Sequence, residues 1–494
     1  MSSSHRQIFK STALIGGTQI INILIGVGRT KALAVMLGPS GMGLAVMYQS
    51  TVGLIRILTG FGIGSSGVRQ IAEAAATNDE QKVSRTVRTL QLTALLSGIL
   101  GMLVVLLFSR PIGRLSFGNE NYTCGIALMS LTLLFGGVSE GQTALLQGLR
   151  RLKDLASCQI LGAFFGAVVS IALVYFLRQD GVALFLVAIS AFGVLTSWWY
   201  ARKVTVRPCR LPLREIIDEA RGLLGMGAAF LTSGLLVAGV DYLTRVLIVR
   251  ELGMDAVGLY NATWTLSSLY VGIVLQAMGA DFYPRLTAVA NEDAALNLMV
   301  NEQSEMGILI AIPGILATLT LAPWVLKIFY SAAFVPAVEI IRWQIIGIAL
   351  RVISWPMGFV QLAKGMSGLF MATETIFSIL HVGLLFVCMR LWGLDGVGIS
   401  FMALYIAYTL GMLGVCRYIT GFLWTGRVLA LVFLSCAVVA ATLLAVRYLP
   451  ELPGVITGLV FTGSTTVYCV SMLQKLLDIN IAHILLHKRL RASP

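Results

Sequence analysis

The sequence predicts an all-α polytopic membrane protein: two six-helix parallel repeats around a central cavity, followed by about two further helices, about fourteen in all. Three observations predict it. First, 57% of the 494 residues are apolar and 12% are charged, where a soluble domain carries roughly 25% charge. Second, the apolar residues fall into separate runs, each near the ~20 residues that a helix needs to cross a bilayer. Third, a short motif recurs in the same place in each half. This composition excludes a cytosolic enzyme, a secreted disulfide scaffold and a disordered chain.

Six runs occupy 12–36, 43–64, 90–109, 122–142, 157–177 and 181–200. Six more occupy 222–249, 258–280, 306–328, 338–360, 369–389 and 394–416, and two follow at 427–447 and 453–473. They are rich in Leu, Val, Ile, Gly and Ala, without the ten-residue alternation of a membrane β-barrel. The implied domains are 1–200, a basic linker 201–221 containing Pro208 and Pro212, a second bundle 222–418, and 424–494 with two additional helices and a basic tail.

The net charge of +13 could suggest nucleic acid, but Lys and Arg cluster in short loops between runs and act as topology signals. Most of them share one side: Arg69, Lys82, Arg85, Arg88, Arg150, Arg151, Lys153 and the linker arginines among them. That side is the cytoplasm by the positive-inside rule, which places both termini there. The polar start MSSSHRQIFK, with no small-residue cleavage site after the first run, predicts no removable signal peptide. The seven cysteines form no CxxC pair and read as free, buried thiols.

The repeat rests on four features. Leu37-Gly38-Pro39-Ser40-Gly41-Met42-Gly43-Leu44 and Leu252-Gly253-Met254-Asp255-Ala256-Val257-Gly258-Leu259 both fit LGxxxxGL, at an offset of 215 residues. Asp180-Gly181-Val182 and Asp395-Gly396-Val397 recur at that offset; Arg29 and Arg245, and Arg69 and Arg285, recur one residue beyond it. Six helices per unit is an even number, so the halves are parallel repeats. Transporters built this way bind substrate between the halves.

Catalytic and cofactor signatures are missing: there is no GxxxxGK[ST], no HExxH and no metal-ligand set among four histidines, so no cofactor or metal is expected. Intramembrane charge carries the functional signal, since a charge at mid-bilayer costs at least about 2.5–3.5 kcal/mol unless it meets a partner or water. Arg56 lies mid-run with no acid within four residues; it either pairs with another helix or lines an anion-binding cavity. Arg29 lies two-thirds across the first run and Lys31 follows it, the latter better suited to snorkelling. Arg245 has Asp241 one helical turn earlier, giving either a self-neutralised pair or a proton-sensitive partner that releases Arg245 to a ligand. Arg342 and Arg351 point to nearly opposite faces of one helix, so at most one faces a given cavity. Glu140, Asp281 and Glu374 read as solvated near cytoplasmic helix ends; Asp241, Glu140 and Glu374 are the coupling candidates. Buried arginines outnumber buried acids, which suits an anionic and especially a phosphate-bearing ligand.

The stretch Ser11-Thr12, Asn22-Ile23-Leu24-Ile25-Gly26, Arg29-Thr30-Lys31 and Leu37 to Leu44 resembles bacterial O-antigen translocases, polysaccharide flippases of the multidrug/oligosaccharidyl-lipid/polysaccharide exporter superfamily. Phe334, Ile341-Arg342-Trp343-Gln344, Gly347, Arg351 and Leu362-Ala363-Lys364-Gly365 resemble the related flippase of the enterobacterial common antigen lipid carrier. The resemblance spans roughly 8–418. It implies movement of an undecaprenyl-pyrophosphate-linked oligosaccharide across the bacterial inner membrane, with polysaccharide polymerase or ligase machinery as further partners. Arg29 and Arg56 are similar in placement to cavity arginines of the lipid II flippase. The expected substrate-binding set is Arg29, Arg56, Arg245, Arg351 and Lys31. A multidrug or metabolite antiporter of the same superfamily is the alternative, distinguished by buried acids in place of buried arginines. A membrane polymerase or glycosyltransferase would need an external catalytic loop, and none is visible.

Overall fold

The computed structural model describes residues 3–60, 62–77, 79–204 and 234–477. Among them there is no strand. In chain order the helices are α1 (Ser3–Gly60), α2 (Ile63–Ala76), α3 (Glu80–Leu107), α4 (Ser109–Phe117), α5 (Thr123–Gly148), α6 (Leu152–Leu177) and α7 (Gly181–Ala201). The segment 234–252 forms α8. Then follow α9 (Met254–Ala288), α10 (Asp293–Phe329), α11 (Val338–Ala363), α12 (Ser367–Trp392), α13 (Asp395–Thr420), α14 (Gly426–Tyr448) and α15 (Glu451–Leu477).

Ten described helical stretches are long and apolar enough to cross a membrane. Two of these, Leu14–Gly60 and Leu152–Ala201, span 47 and 50 residues, over twice the ~20 needed for one crossing. The first is broken at Gly38 and the second at the 3-10 turn Arg178–Asp180, so each supplies two crossings. The expected runs 222–249 and 258–280 fall on α8 and α9, apart from 222–233, which lie outside the described residues. Large apolar side chains stand outward along the helices, Phe176 at 78% and Phe433 at 73% exposure. In water such a surface would aggregate; in lipid it is the solvated face.

The breaks reveal the repeat in backbone geometry. Positive φ occurs at Gly38 (66°) and Gly253 (87°), at Arg150 (55°) and Gly365 (70°), and at Arg178 (52°) and Gly393 (56°). Every pair keeps the spacing of the two LGxxxxGL motifs. Helices α5 and α11, and likewise α6 and α12, correspond end to end at that spacing. Gly38 and Gly253 therefore fix the register of the first repeat helix. In this register Thr244, not Arg245, stands at the place of Arg29, and the expected match of the two arginines is off by one residue, about 100° of helix.

The chain divides into two compact units, Met1–Leu259 with Ile328–Phe334, and Tyr260–Lys327 with Val335–Pro494. The division thus falls beyond α8, while most of the basic linker 201–221 lies outside the described residues. Helices α14 and α15 belong to the core of the second unit: Val428, Leu431, Val439 and Cys469 are buried with Ile308, Ile312 and Ile348. Glu339 on α11 ties them further, bonding Arg342 at 2.6 Å and approaching Arg447 of α14 at 3.7 Å.

Candidate functional site

In the first unit, α1, α5 and α7 enclose a cavity of about 580 Å³. Arg29, Gln49 and Arg56 line it from α1, Gly136, Glu140 and Thr143 from α5, and Ser190 and Gly193 from α7. The α5 residues follow helical spacing, so one face of α5 turns to the cavity. A Cβ at Gly136 would stand 3.6 Å from the Arg56 guanidinium carbon, ordinary contact distance, so the guanidinium lies beside this stretch of α5.

Arg56 Nη2 donates to Glu140 Oε2 at 2.8 Å, with the two side chains 53% and 36% exposed. Arg56 therefore pairs with another helix and also lines a cavity, two roles that the sequence presents as alternatives. The apolar run stops at 142 and so puts Glu140 near a solvated helix end in the sequence reading. Helix α5 continues to Gly148, however, and places Glu140 inside the span, against Arg56. The local signal was polar periodicity, Thr132, Gly136, Glu140 and Thr143 on one face, which a hydropathy window averages away. Arg29 has no ion-pair or hydrogen-bond partner among the described residues. The two arginines and one acid leave the cavity net positive.

The other expected residues sit elsewhere. Arg245 is 7% exposed, is ion-paired with Asp241 and donates to the Asp241 carbonyl at 3.2 Å; its Nε is buried without a partner among the described residues. Neither residue lines this cavity, and neither does Lys31. In the second unit, Arg351 packs 6.0 Å from the centre of the Tyr405 ring. Glu374 accepts from the Tyr408 hydroxyl at 3.2 Å and lies within electrostatic reach of Arg351. Asp281 is exposed and paired with Arg285 at 3.0 Å.

The repeat explains why the first unit has the cavity. At the places of Gly136, Glu140, Ser190 and Gly193, the second unit carries Arg351, Trp355, Tyr405 and Tyr408. Small and polar residues in one repeat are replaced by large ones in the other, and Tyr405 and Tyr408 pack together with ring centres 5.7 Å apart.

Repeated membrane-crossing helices with a charged, water-accessible cavity inside the span define a protein of the membrane transporter fold. The chain superposes on the lipid II flippase MurJ in an inward closed conformation with a TM-score of 0.69 at 12% identity, covering 94% of this chain and 100% of that one. It superposes on an inward-facing multidrug resistance MATE family transporter of the MOP superfamily with a TM-score of 0.62 at 16% identity, covering 86% and 99%. The chain belongs to the polysaccharide biosynthesis protein family, whose pattern matches residues 32–339. It is 24% identical over 410 residues to the lipid III flippase of Escherichia coli (strain K12), covering 81% of this chain and 95% of that protein. The lipid III flippase of Shigella flexneri matches to the same extent.

Proposed function

We propose that this protein is a flippase that carries an undecaprenyl-pyrophosphate-linked oligosaccharide, the repeat unit of O-antigen or a similar surface glycan, from the cytoplasmic to the periplasmic leaflet of the bacterial inner membrane. The observation that carries the reading is the cavity holding Arg29 and Arg56 within membrane-crossing helices. A pyrophosphate cannot enter hydrocarbon bare, because the charge loses its hydration. Guanidinium forks replace that hydration with charge-assisted hydrogen bonds. Arg29 is open to receive the anion directly, and Glu140 serves as the resident counter-ion of Arg56 until the pyrophosphate arrives. The cavity volume of about 580 Å³ falls in the usual range for ligand sites, about 300–1,000 Å³. It holds the pyrophosphate and the sugar nearest to it.

In this reading the polyprenyl tail stays in lipid, where its apolar surface needs no protein partner. Alternating access moves the head across, as expected of repeat-built transporters. The net positive cavity favours an anionic cargo over the cationic drugs of an antiporter. The inner-membrane location agrees with the family and with the lipid III flippase relatives.

The test is gene deletion with complementation, followed by analysis of lipid-linked intermediates. Deletion is expected to leave the lipid-linked repeat unit in the cytoplasmic leaflet and to remove surface glycan. The native gene should restore it, and Arg56→Ala, present at normal membrane level, should not. Unchanged surface glycan after deletion overturns the reading.

A further inference from the structure

A second cavity in the first unit has no part in the reading above. It measures about 630 Å³ and opens between α3, α5 and α7, at the end where α3 and the chain after α7 carry Arg88 and Arg202. Along α3 the lining residues are Ser84, Val87, Arg88, Gln91, Leu92 and Leu95; the polar ones, Ser84, Arg88 and Gln91, come first and the two leucines follow, over about 16 Å at 1.5 Å per residue. Opposite, Trp198 lines the groove and Arg202 lies on the tryptophans, its guanidinium carbon 3.7 Å from the Trp199 ring centre and 4.9 Å from that of Trp198. Gln142, 9% exposed, accepts from Ser197 at 2.5 Å, and its amide N–H groups have no partner among the described residues. Neither Arg88 nor Arg202 has a carboxylate partner among the described residues.

The internal repeat packs the corresponding place in the second unit differently. Met357, Met412 and Leu413 in the second unit stand at the places of Gln142, Ser197 and Trp198. Met357 and Met412 are buried in one cluster with the fully buried Phe422, and Leu413 packs against it. Asn301 pins that segment down, donating to the Leu423 carbonyl at 3.2 Å and accepting from the Thr425 amide at 2.9 Å. The second unit thus fills the position with methionines and covers it with its own chain. The first unit keeps it open, with glutamine donors, an apolar wall and two arginines, of which Arg202 has a repeat counterpart in Arg417 and Arg88 has Gln303.

We propose that this groove binds an anionic membrane phospholipid, with its phosphate between Arg88 and Arg202 and an acyl chain along Leu92 and Leu95. Arginine forks match phosphate oxygens bidentately. Basic pockets between transmembrane helices hold anionic headgroups, and tryptophan marks the depth at which headgroups lie. The polar-to-apolar gradient on α3 has the order of a lipid, head to tail, which a free phosphate would not need. The proposal does not depend on the cargo of the other cavity.

The experiment titrates the purified full-length protein in neutral detergent with phosphatidylglycerol, with phosphatidylcholine of the same chains and with inorganic phosphate, reading binding by native mass spectrometry and thermal shift. Saturable binding of phosphatidylglycerol alone is expected. Arg88→Gln with Arg202→Gln should weaken it about tenfold or more, and Arg88→Lys with Arg202→Lys should weaken it less, since a point charge keeps attraction without the fork. Arg110→Gln with Arg178→Gln, an equal loss of charge at the other ends of these helices, should leave binding unchanged. Undiminished phosphatidylglycerol binding in the double glutamine variant, an equal loss in the Arg110/Arg178 control, or inorganic phosphate binding as well as the lipid would each overturn the proposal.

Discussion

Gly43 and Gly258, the last glycines of the two LGxxxxGL motifs, face each other where α1 crosses the start of α9. A Cβ on Gly43 would strike the Met254 carbonyl and the Gly258 nitrogen, and a Cβ on Gly258 would strike the Pro39 carbonyl and the Gly43 nitrogen. The obstacles are backbone atoms, which cannot swing aside. Gly43→Ala or Gly258→Ala should destabilise the protein by about 1–3 kcal/mol, the usual cost of overpacking. Thermal unfolding of the purified variants checks this; a melting temperature unchanged in both would show that the crossing relaxes freely.

Glu140→Gln separates the two roles of the Arg56–Glu140 pair. The pair is more than a third exposed, so its loss should cost the fold under about 1 kcal/mol. Membrane level should therefore stay normal. Under the proposed reading, freeing Arg56 from its counter-ion tightens its hold on the pyrophosphate, and transport should slow through delayed release. A membrane blot beside surface-glycan detection is the measurement; loss of the protein itself would make Glu140 a structural residue.

Arg245 and Asp241 should behave as a structural pair. Removing either one strands the other's charge. For a fully buried pair that costs about 3–5 kcal/mol; here the Asp241 side chain is 42% exposed, so solvent screening brings the cost below that range, to about 1–2 kcal/mol. Asp241→Asn or Arg245→Gln alone should lower membrane level, and the double variant should restore level and transport together. A double variant that is abundant but transports nothing would return Arg245 to the binding set.

Arg178 adopts φ 52° and ψ −131°, a backbone region suited to glycine, and its repeat counterpart Gly393 has φ 56° and ψ −126°. Relief of backbone strain of about 1–3 kcal/mol exceeds the entropy that glycine adds to the unfolded chain. Arg178→Gly should raise the melting temperature of the purified protein, and Gly393→Arg should lower it.

The helices were legible in the sequence because apolar run length and loop charge are properties of the chain itself. The repeat was legible because LGxxxxGL and DGV survive at one spacing. The Arg29–Arg245 match lies one residue off the common spacing, a slip that becomes decisive only when Gly38 and Gly253 fix the turn. Glu140 was misplaced because its helix outlasts its apolar run, continuing through Gln142 and Gln147 to Gly148. Pairing across helices, as between Arg56 and Glu140, depends on which helices are neighbours, and no local pattern encodes that.

The unequal filling of the two repeats bears on how the molecule opens. Local opening costs least where few apolar contacts must be broken. The first repeat keeps two water-accessible hollows, of about 580 and 630 Å³, where the second has tryptophan, tyrosine and methionine. Amide hydrogens on α5 and α7 should therefore exchange with solvent sooner than those on α11 and α13, although the helices are repeat counterparts. Two repeats of one topology would then differ as a breathing half and a stiff half, and exchange rates would record that division of labour directly.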